Sequence, residues 1–382
     1  MPSTGPRDGR EGKVRRRSRF GCRNCKLRKL KCDESKPQCK RCRSFGLLCP
    51  FMSNIPDLQP VAADRQLVVQ SPPSNAVWTS DESTCYHLDA RCQEFISRYL
   101  GRSLIPPDNP NMIQVNRKLL ELAFTYPFLM HASLAVALTY DRHLKRSGCR
   151  RTLEECYHWS QATVLLNNRL SGPIQTEDKD PIWGTAAALV ILTFSSDAYT
   201  AEQAWPLTSS DSDLDWLRLS KSKMLLWHIV NPLRPDSLFH VLAATFAEMQ
   251  SPLPQRGIDG MPQALAAMCN LNDTSTAETN PYFRAAHAVS QILNRPKITI
   301  GQSQIFMDSI HGPFEDLLRE KDPAALLLLY LWYCRASRSI WFIELRARVE
   351  CPSICSYLRR YHSENGAVQA FLPKGDLAQV PS

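Results

Sequence analysis

The sequence has no long apolar run. The two longest, at residues 185–194 and 324–334, are each shorter than the ~20 residues that a membrane-spanning helix requires. The first twenty residues are basic and lack the apolar stretch of an export signal. We therefore expect a soluble, intracellular protein with no membrane span. Its thiols should be reduced, so clustered cysteines should bind metal rather than form disulfides.

Sequence motifs of catalysis are also lacking. The chain has no G-x-S-x-G, no H-E-x-x-H, no P-loop and no dinucleotide-binding fingerprint, so we do not expect an enzyme. Alternating apolar patterns typical of strands are nearly absent, and the best candidate is the short segment 297–300. Three clean heptads cannot be found after the cysteine-rich segment, so a coiled-coil dimer is not predicted.

Charge is distributed unevenly along the chain. Residues 1–50 contain sixteen Lys and Arg against four Asp and Glu, a net charge of +12, whereas the whole chain carries +9. A basic head on a slightly acidic body is typical of a protein whose first segment binds a polyanion. Residues 1–20 are predicted to be a disordered basic tail. Its basic run at 13–19 is interpreted as a nuclear localisation signal that also contacts phosphate, with a solvated tail as the alternative.

Six of the fourteen cysteines form two repeated halves, each with the spacing C-x2-C-x6-C: Cys22, Cys25, Cys32, Cys39, Cys42 and Cys49. Two separate tetrahedral zinc sites would need eight thiolates, and six suffice only if two sulfurs are shared. We assign the shared positions to the first cysteine of each half, Cys22 and Cys39. The pattern therefore predicts two zinc ions in a module at residues 21–51. About thirty residues cannot bury a core, so metal binding should stabilise the fold.

Other interpretations of these cysteines explain less. A zinc ribbon that uses only Cys22, Cys25, Cys39 and Cys42 gives the remaining two no role. A disulfide knot requires an oxidising compartment. A purely structural zinc module leaves the basic segment beside the cysteines unexplained.

The segment 23–31 contains five basic residues and no acidic one. It is predicted to be a helix that meets the major groove of double-stranded DNA. Arg28 and Lys29, near its C-terminal end, are predicted to reach the O6 and N7 acceptors of guanine. Arg23 is a further DNA-binding candidate. Phosphate contacts are assigned to the other basic residues: Lys26, Lys31, Lys36, Lys40, Arg41 and Arg43.

Residues 21–51 resemble the fungal binuclear zinc cluster transcription factors. The resemblance rests on the six cysteines, the basic C-K-L-R-K-L-K-C at 25–32, Asp33 after the third cysteine and K-P-Q-C at 36–39. It implies that Arg28 and Lys29 read a CGG-type triplet and that Pro37 turns the loop between two helices. It also implies a nuclear, RNA polymerase II type transcription activator that controls a metabolic or secondary-metabolite gene cluster.

A flexible linker is predicted at residues 52–80, which contain four prolines and few regular patterns. Residues 81–382 are predicted to be an all-α regulatory domain. The fold class is therefore a small zinc-stabilised two-helix DNA-binding module joined by a flexible linker to an all-α domain. Helical spacing of apolar residues predicts the following segments: 89–100, 112–123, 128–144, 152–170, 182–195, 214–230, 237–249, 282–293, 324–336 and 340–349.

Four segments of the body resemble the regulatory domain of the sterol-uptake regulators: 126–131, 170–173, 181–188 and 215–220. The resemblance implies an all-helical domain that can self-associate and, in the sterol sensors, hold a lipid. One alternative function is therefore a lipid- or sterol-responsive sensor whose body gates DNA binding. Another is a zinc module that contacts RNA or protein. A single base triplet is too short to specify a site in a genome, so we expect a second DNA-binding module. It would be supplied by a homodimer that forms through the helical body or by a co-regulator.

Overall fold

The computed structural model describes residues 19–44, 47–51, 76–78, 85–87, 110–145, 150–195, 198, 200–210 and 212–373. The basic tail before residue 19, most of the predicted linker and the predicted helix 89–100 lie outside these residues. The chain divides into two compact units, Met1–His87 and Leu88–Ser382. Among the described residues, no helix is both long and apolar enough to cross a membrane.

The described residues of the first unit form two short helices and one β-ribbon: α1 Arg23–Leu27, α2 Lys40–Ser44, β1 Ala76–Trp78 and β2 Cys85–His87. The two strands are antiparallel, and Val77 lies opposite Tyr86. The ribbon belongs to the first unit, and the all-helical architecture predicted for the body is confirmed in the described part of the second unit. The ribbon residues are mostly β-branched, aromatic or cysteine, and three-residue strands are too short to produce a readable alternation.

In the described part of the second unit the regular structure is helical: α3 Pro110–Ala123, α4 Pro127–Leu144, α5 Leu153–Leu170, α6 Lys179–Phe194, α7 Asp215–Val230, α8 Ala243–Met249, α9 Gln263–Met268, α10 Phe283–Ile292, α11 Ile300–Ser309, α12 Pro313–Arg319, α13 Pro323–Ala336, α14 Trp341–Tyr361 and α15 Gly366–Gln369. One-turn 3₁₀ helices are present as well: Thr176–Asp178, Ala201–Gln203 and His240–Leu242. Helices are therefore confirmed at all nine predicted positions that the structure describes. Four helices were not predicted: α9, α11, α12 and α15.

Residues 297–300, the best strand candidate in the sequence, do not form a strand, because the chain there enters α11. The Thr299 hydroxyl accepts a hydrogen bond from Gln302 N at 3.1 Å, and Gln302 Oε1 accepts one from Thr299 N at 3.2 Å. This reciprocal pair is a capping box, which satisfies amide groups that would otherwise be unpaired at a helix start. A four-residue apolar pattern cannot distinguish a strand from such a start.

The core of the second unit is built around α13, which is buried along nearly its whole length. Asp322 caps the helix by accepting hydrogen bonds from Ala324 N and Ala325 N at 3.0 and 2.9 Å, and Pro323 occupies the first helical position. Helix α14 packs beside α13 and continues past Pro352 to Tyr361, twelve residues beyond its predicted end. Buried Ile354, Cys355 and Leu358 outweigh the helix-breaking tendency of that proline.

Candidate metal centre and nucleic-acid interface

The six cysteines between residues 22 and 49 converge in one buried cluster. Their sulfurs form two groups of four, and within each group all sulfurs lie within 4.8 Å of one another: Cys22, Cys25, Cys32 and Cys39 form one, and Cys22, Cys39, Cys42 and Cys49 form the other. The two groups share Cys22 and Cys39, whose Sγ atoms are 3.7 Å apart. These are the residues that the ligand count predicts as bridges.

The backbone around the cluster repeats after seventeen residues. Cys25 N donates to Cys22 Sγ at 3.5 Å, and Cys42 N donates to Cys39 Sγ at 3.3 Å. Across each half, Cys22 N donates to Cys32 Sγ at 3.4 Å and Cys39 N donates to Cys49 Sγ at 3.5 Å. Both halves therefore present their sulfurs through the same N–H···S pattern, with each C-x2-C pair at a helix start.

Helix α1 is shorter than the predicted helix 23–31 and ends at Leu27. Lys29 adopts a left-handed conformation with φ +54°, and Leu30 N turns back to bond Cys25 O at 2.9 Å while Lys29 N bonds Lys26 O at 3.1 Å. This is a Schellman termination, which reverses the chain so that Cys32 returns to the cluster. Metal-ligand geometry thus overrides the good helix propensity of the Lys, Leu and Arg residues.

Polar contacts tie the two halves together. Asn24 is fully buried, and its Nδ2 donates to Leu48 O at 2.8 Å, while Gln38 Nε2 donates to Leu47 O at 3.1 Å. The carboxylate of Asp33, the residue after the first half, accepts a hydrogen bond from Lys40 N at 3.2 Å and so caps α2. These contacts fix α1 and α2 relative to each other.

The sulfur environment fits dications. Burial raises the pKa of the Cys22 thiol to about 11, and burial together with neighbouring thiols raises the pKa of Cys25 and Cys42. At Cys32 and Cys49 burial acts upward too, but backbone N–H donors outweigh it and leave each pKa below its ordinary value. Two cations would stabilise all six thiolates, and four sulfurs around each is the ligand set that zinc prefers in structural sites.

All seven predicted DNA-binding side chains lie at the surface of the module. Arg23, Lys26, Lys29, Lys31, Lys36 and Lys40 are exposed and Arg28 is half-buried. Arg28 is the C-cap of α1 and Lys29 is the next residue, so both lie where that helix ends. The ammonium group of Lys36 lies 6.0 Å from the centre of the Phe51 ring, at the other end of the cysteine motif.

The two halves share a scaffold but differ in chemistry. Seventeen residues after Arg28 and Lys29 the sequence has Phe45 and Gly46. A basic pair at this position is therefore present only in the first half. The comparison also shows that a glycine occupies the position equivalent to left-handed Lys29, where glycine is the residue favoured on steric grounds.

Among the described residues, no other set of three or more His, Cys, Asp or Glu side chains is close enough to hold a metal. Cys351 and Cys355 are buried in the helical core, and Cys156 is exposed. His158 is buried, and its Nδ1 lies 3.1 Å from His131 Nδ1. The buried imidazole of His158 therefore has a polar partner in His131, and no metal ion is needed to explain its position.

The cysteine module matches a described protein family. Residues 20–57 correspond to the fungal Zn(2)-Cys(6) binuclear cluster domain. The zinc transcription factor afumD of Aspergillus fumigatus is 23% identical over 331 residues, which cover 82% of this chain and 83% of that protein. An alignment of that length extends well into the helical unit.

Two further relatives match over little more than the module. The aspercryptin biosynthesis cluster-specific transcription regulator atnN of Emericella nidulans is 45% identical over 47 residues, 12% of this chain and 8% of that protein. Sterol uptake control protein 2 of Saccharomyces cerevisiae is 45% identical over 49 residues, 13% of this chain and 5% of that protein. The latter match is too short to bear on the helical body.

The module and these relatives together support a DNA-binding transcription regulator that carries two zinc ions and is not an enzyme. Proteins of this kind are nuclear in general.

Proposed function

We propose that this chain, whose residues 20–57 match the fungal Zn(2)-Cys(6) binuclear cluster domain, is a nuclear transcription activator that reads CGG-like triplets in promoter DNA. The observation that carries the proposal is the pair of four-sulfur groups sharing Cys22 and Cys39. Cys25 and Cys32, which flank the basic segment 26–31, both belong to one of these groups. Zinc there would supply the positive charge and the rigid ligand geometry that a module of this size needs.

In this proposal Arg28 and Lys29 contact bases, because they lie at the C-terminal end of α1, where Arg28 is the C-cap and Lys29 is the next residue. The planar guanidinium of Arg28 can donate two parallel hydrogen bonds to guanine O6 and N7, and Lys29 can donate to the neighbouring guanine. The remaining basic side chains contact phosphate and set the register on DNA: Arg23, Lys26, Lys31, Lys36 and Lys40.

Controlled genes and a second DNA-binding unit are further parts of the proposal. We infer control of a metabolic or secondary-metabolite gene cluster, supported by the relative that is a cluster-specific regulator. A single triplet occurs too often in a genome to specify a promoter. A homodimer formed through the helical body, or a co-regulator bound to it, would supply a second triplet contact.

A binding experiment with zinc-loaded full-length chain tests the base readers. Affinity for a duplex with CGG and for a duplex with a scrambled triplet is measured by fluorescence anisotropy at several salt concentrations. Arg28→Ala should cost about 1–3 kcal/mol on the CGG duplex alone. Lys36→Ala is the matched control, which should weaken both duplexes equally and reduce the salt slope by about one.

Equal losses on both duplexes for Arg28→Ala would contradict the assignment of base readers. A competition arm with single-stranded and structured RNA addresses the alternative partner. If RNA displaces the CGG duplex at equal concentration, the module is not a DNA reader.

A further inference from the structure

A large cavity opens between helices of the second unit, with a volume of about 830 Å³. Its walls come from α5, α6, α7 and α14 and from the segment 198–213. The volume lies within the range of sites that hold drug-sized molecules. The floor is formed by buried side chains, among them Leu189, Trp205, Arg346 and Glu350, whereas Cys156 and Ser160 on α5 are exposed at the rim.

Charged groups in the cavity wall are balanced by one another. Arg346 Nε lies 2.7 Å from Glu350 Oε1, and its two Nη atoms donate to Phe194 O and Asp213 O at 2.8 Å each. Tyr333 donates its hydroxyl to the other Glu350 oxygen at 2.7 Å. The floor therefore offers no uncompensated charge to an ionic ligand.

Two other arginines in the wall also form ion pairs with nearby carboxylates. Arg151 donates to Ser195 O at 2.8 Å and to the buried Glu155 carboxylate at 3.3 Å. Arg218 forms an ion pair with Asp215 at 3.1 Å. With three arginines and three carboxylates in the lining, the formal charge of the wall is zero.

Three hydroxyl groups in the wall donate to a backbone carbonyl one helical turn earlier in the chain and not into the cavity. Thr163 donates to Trp159 O at 3.0 Å, Ser195 to Ile191 O at 3.0 Å and Ser222 to Arg218 O at 2.9 Å. Each hydroxyl oxygen retains lone pairs that can accept a hydrogen bond. A hydrocarbon such as a sterol ring system would remove water from these oxygens and return no donor, which is unfavourable.

Apolar surface is nevertheless present beside these oxygens. Trp159, Trp205, Leu189 and Leu219 line the same space. We propose that the cavity binds an uncharged small molecule with a ring of apolar faces and several hydroxyl groups, which donate to the wall oxygens. The ring would pack against the tryptophans and leucines. This site is separate from the zinc module and does not depend on the proposed DNA specificity.

Cys156 makes the proposal testable, because it is an exposed thiol in the cavity wall. The full-length chain is equilibrated with disulfide-bearing fragments of four classes: uncharged hydroxylated rings, hydrocarbon rings, carboxylates and amines. Retention at Cys156 is measured by peptide mass spectrometry at increasing 2-mercaptoethanol. Hydroxylated rings should survive at least a ten-fold higher reductant concentration than the other classes.

Cavity-filling variants provide the control. Ser160→Trp places a bulky side chain in the wall one helical turn after Cys156, and Asn168→Trp places the same side chain at an exposed position of α5 outside the wall. The preference should vanish in Ser160→Trp and persist in Asn168→Trp. Ser222→Trp, on the α7 wall, repeats the test if the first variant misfolds. Equal retention of all classes, preferred retention of hydrocarbon or charged fragments, or an unchanged preference in both wall variants would overturn the proposal.

Discussion

Replacing Lys29 with glycine should separate the stability of the zinc module from its DNA affinity. Lys29 has φ +54°, a left-handed conformation that costs a residue with a side chain about 1–2 kcal/mol. Glycine removes that cost, although its greater freedom in the unfolded chain takes back about 0.5–1 kcal/mol. The hydrogen bonds from Lys29 N and Leu30 N that end α1 involve backbone atoms only and should persist.

We therefore expect Lys29→Gly to be as stable as the parent or up to about 1.5 kcal/mol more stable, with both zinc ions retained. Affinity for the CGG duplex should fall by about 1–3 kcal/mol, because one base contact is lost. Chelator competition followed by a zinc indicator measures retention, and anisotropy measures affinity. Lys29→Ala is the informative comparison, since it loses the same contact but keeps the strained backbone.

Two results would refute this reasoning. Unchanged affinity in Lys29→Gly would mean that the lysine side chain makes no base contact. Faster zinc loss from Lys29→Gly than from Lys29→Ala would mean that the left-handed turn does not limit stability.

Three further outcomes follow from buried groups. Arg346→Met should lower the free energy of unfolding in urea by about 3–5 kcal/mol, because it leaves the Glu350 carboxylate without its ion-pair partner. Adding Glu350→Gln should recover part of the lost stability. A loss below about 1 kcal/mol for Arg346→Met would contradict the role of the ion pair. Cys39→Ala should release both zinc ions from the purified chain whereas Cys49→Ala should retain one, and equal metal content in the two variants would argue against a shared Cys39. Burial lowers the pKa of His158 from 6.5 to about 4, so the unfolded chain takes up a proton at a higher pH than the folded chain does. The free energy of unfolding should therefore fall by up to about 3 kcal/mol as pH drops from 6.5 to 4. This loss should be absent in His158→Phe, and an identical pH profile in that variant would mean that another group titrates.

Local patterns predicted the metal centre well because the ligands are close together in sequence. The spacing of six cysteines limits how the sulfurs can meet, the ligand count requires two shared sulfurs, and the repeat suggests the first cysteine of each half, which is the pair common to both sulfur groups in the structure. Long amphipathic or wholly apolar segments likewise revealed the main helices. Boundaries were harder, since Leu27 and Lys31 have similar helix propensity and only the return of Cys32 to the cluster ends α1.

Features that depend on distant parts of the chain could not be predicted in this way. The cavity combines Arg151 and Trp159 of the α5 region with Arg346 and Glu350 of α14, and no sequence pattern links them. The pairing of charges in the cavity wall likewise follows only from the packing of these distant segments. Short helices such as α15 are stabilised by burial of single residues, here Val368, rather than by a periodic pattern.

Zinc coordination measured on the full-length chain tests the central claim most directly. Metal analysis combined with zinc X-ray absorption gives the number of ions per chain and the number of sulfurs around each. Two ions, each with four sulfurs at about 2.3 Å, are predicted, because six cysteines can satisfy two tetrahedral sites only by sharing two sulfurs, and the two sulfur groups have Cys22 and Cys39 in common. One ion per chain, or two ions with three sulfurs each, would contradict the shared cluster.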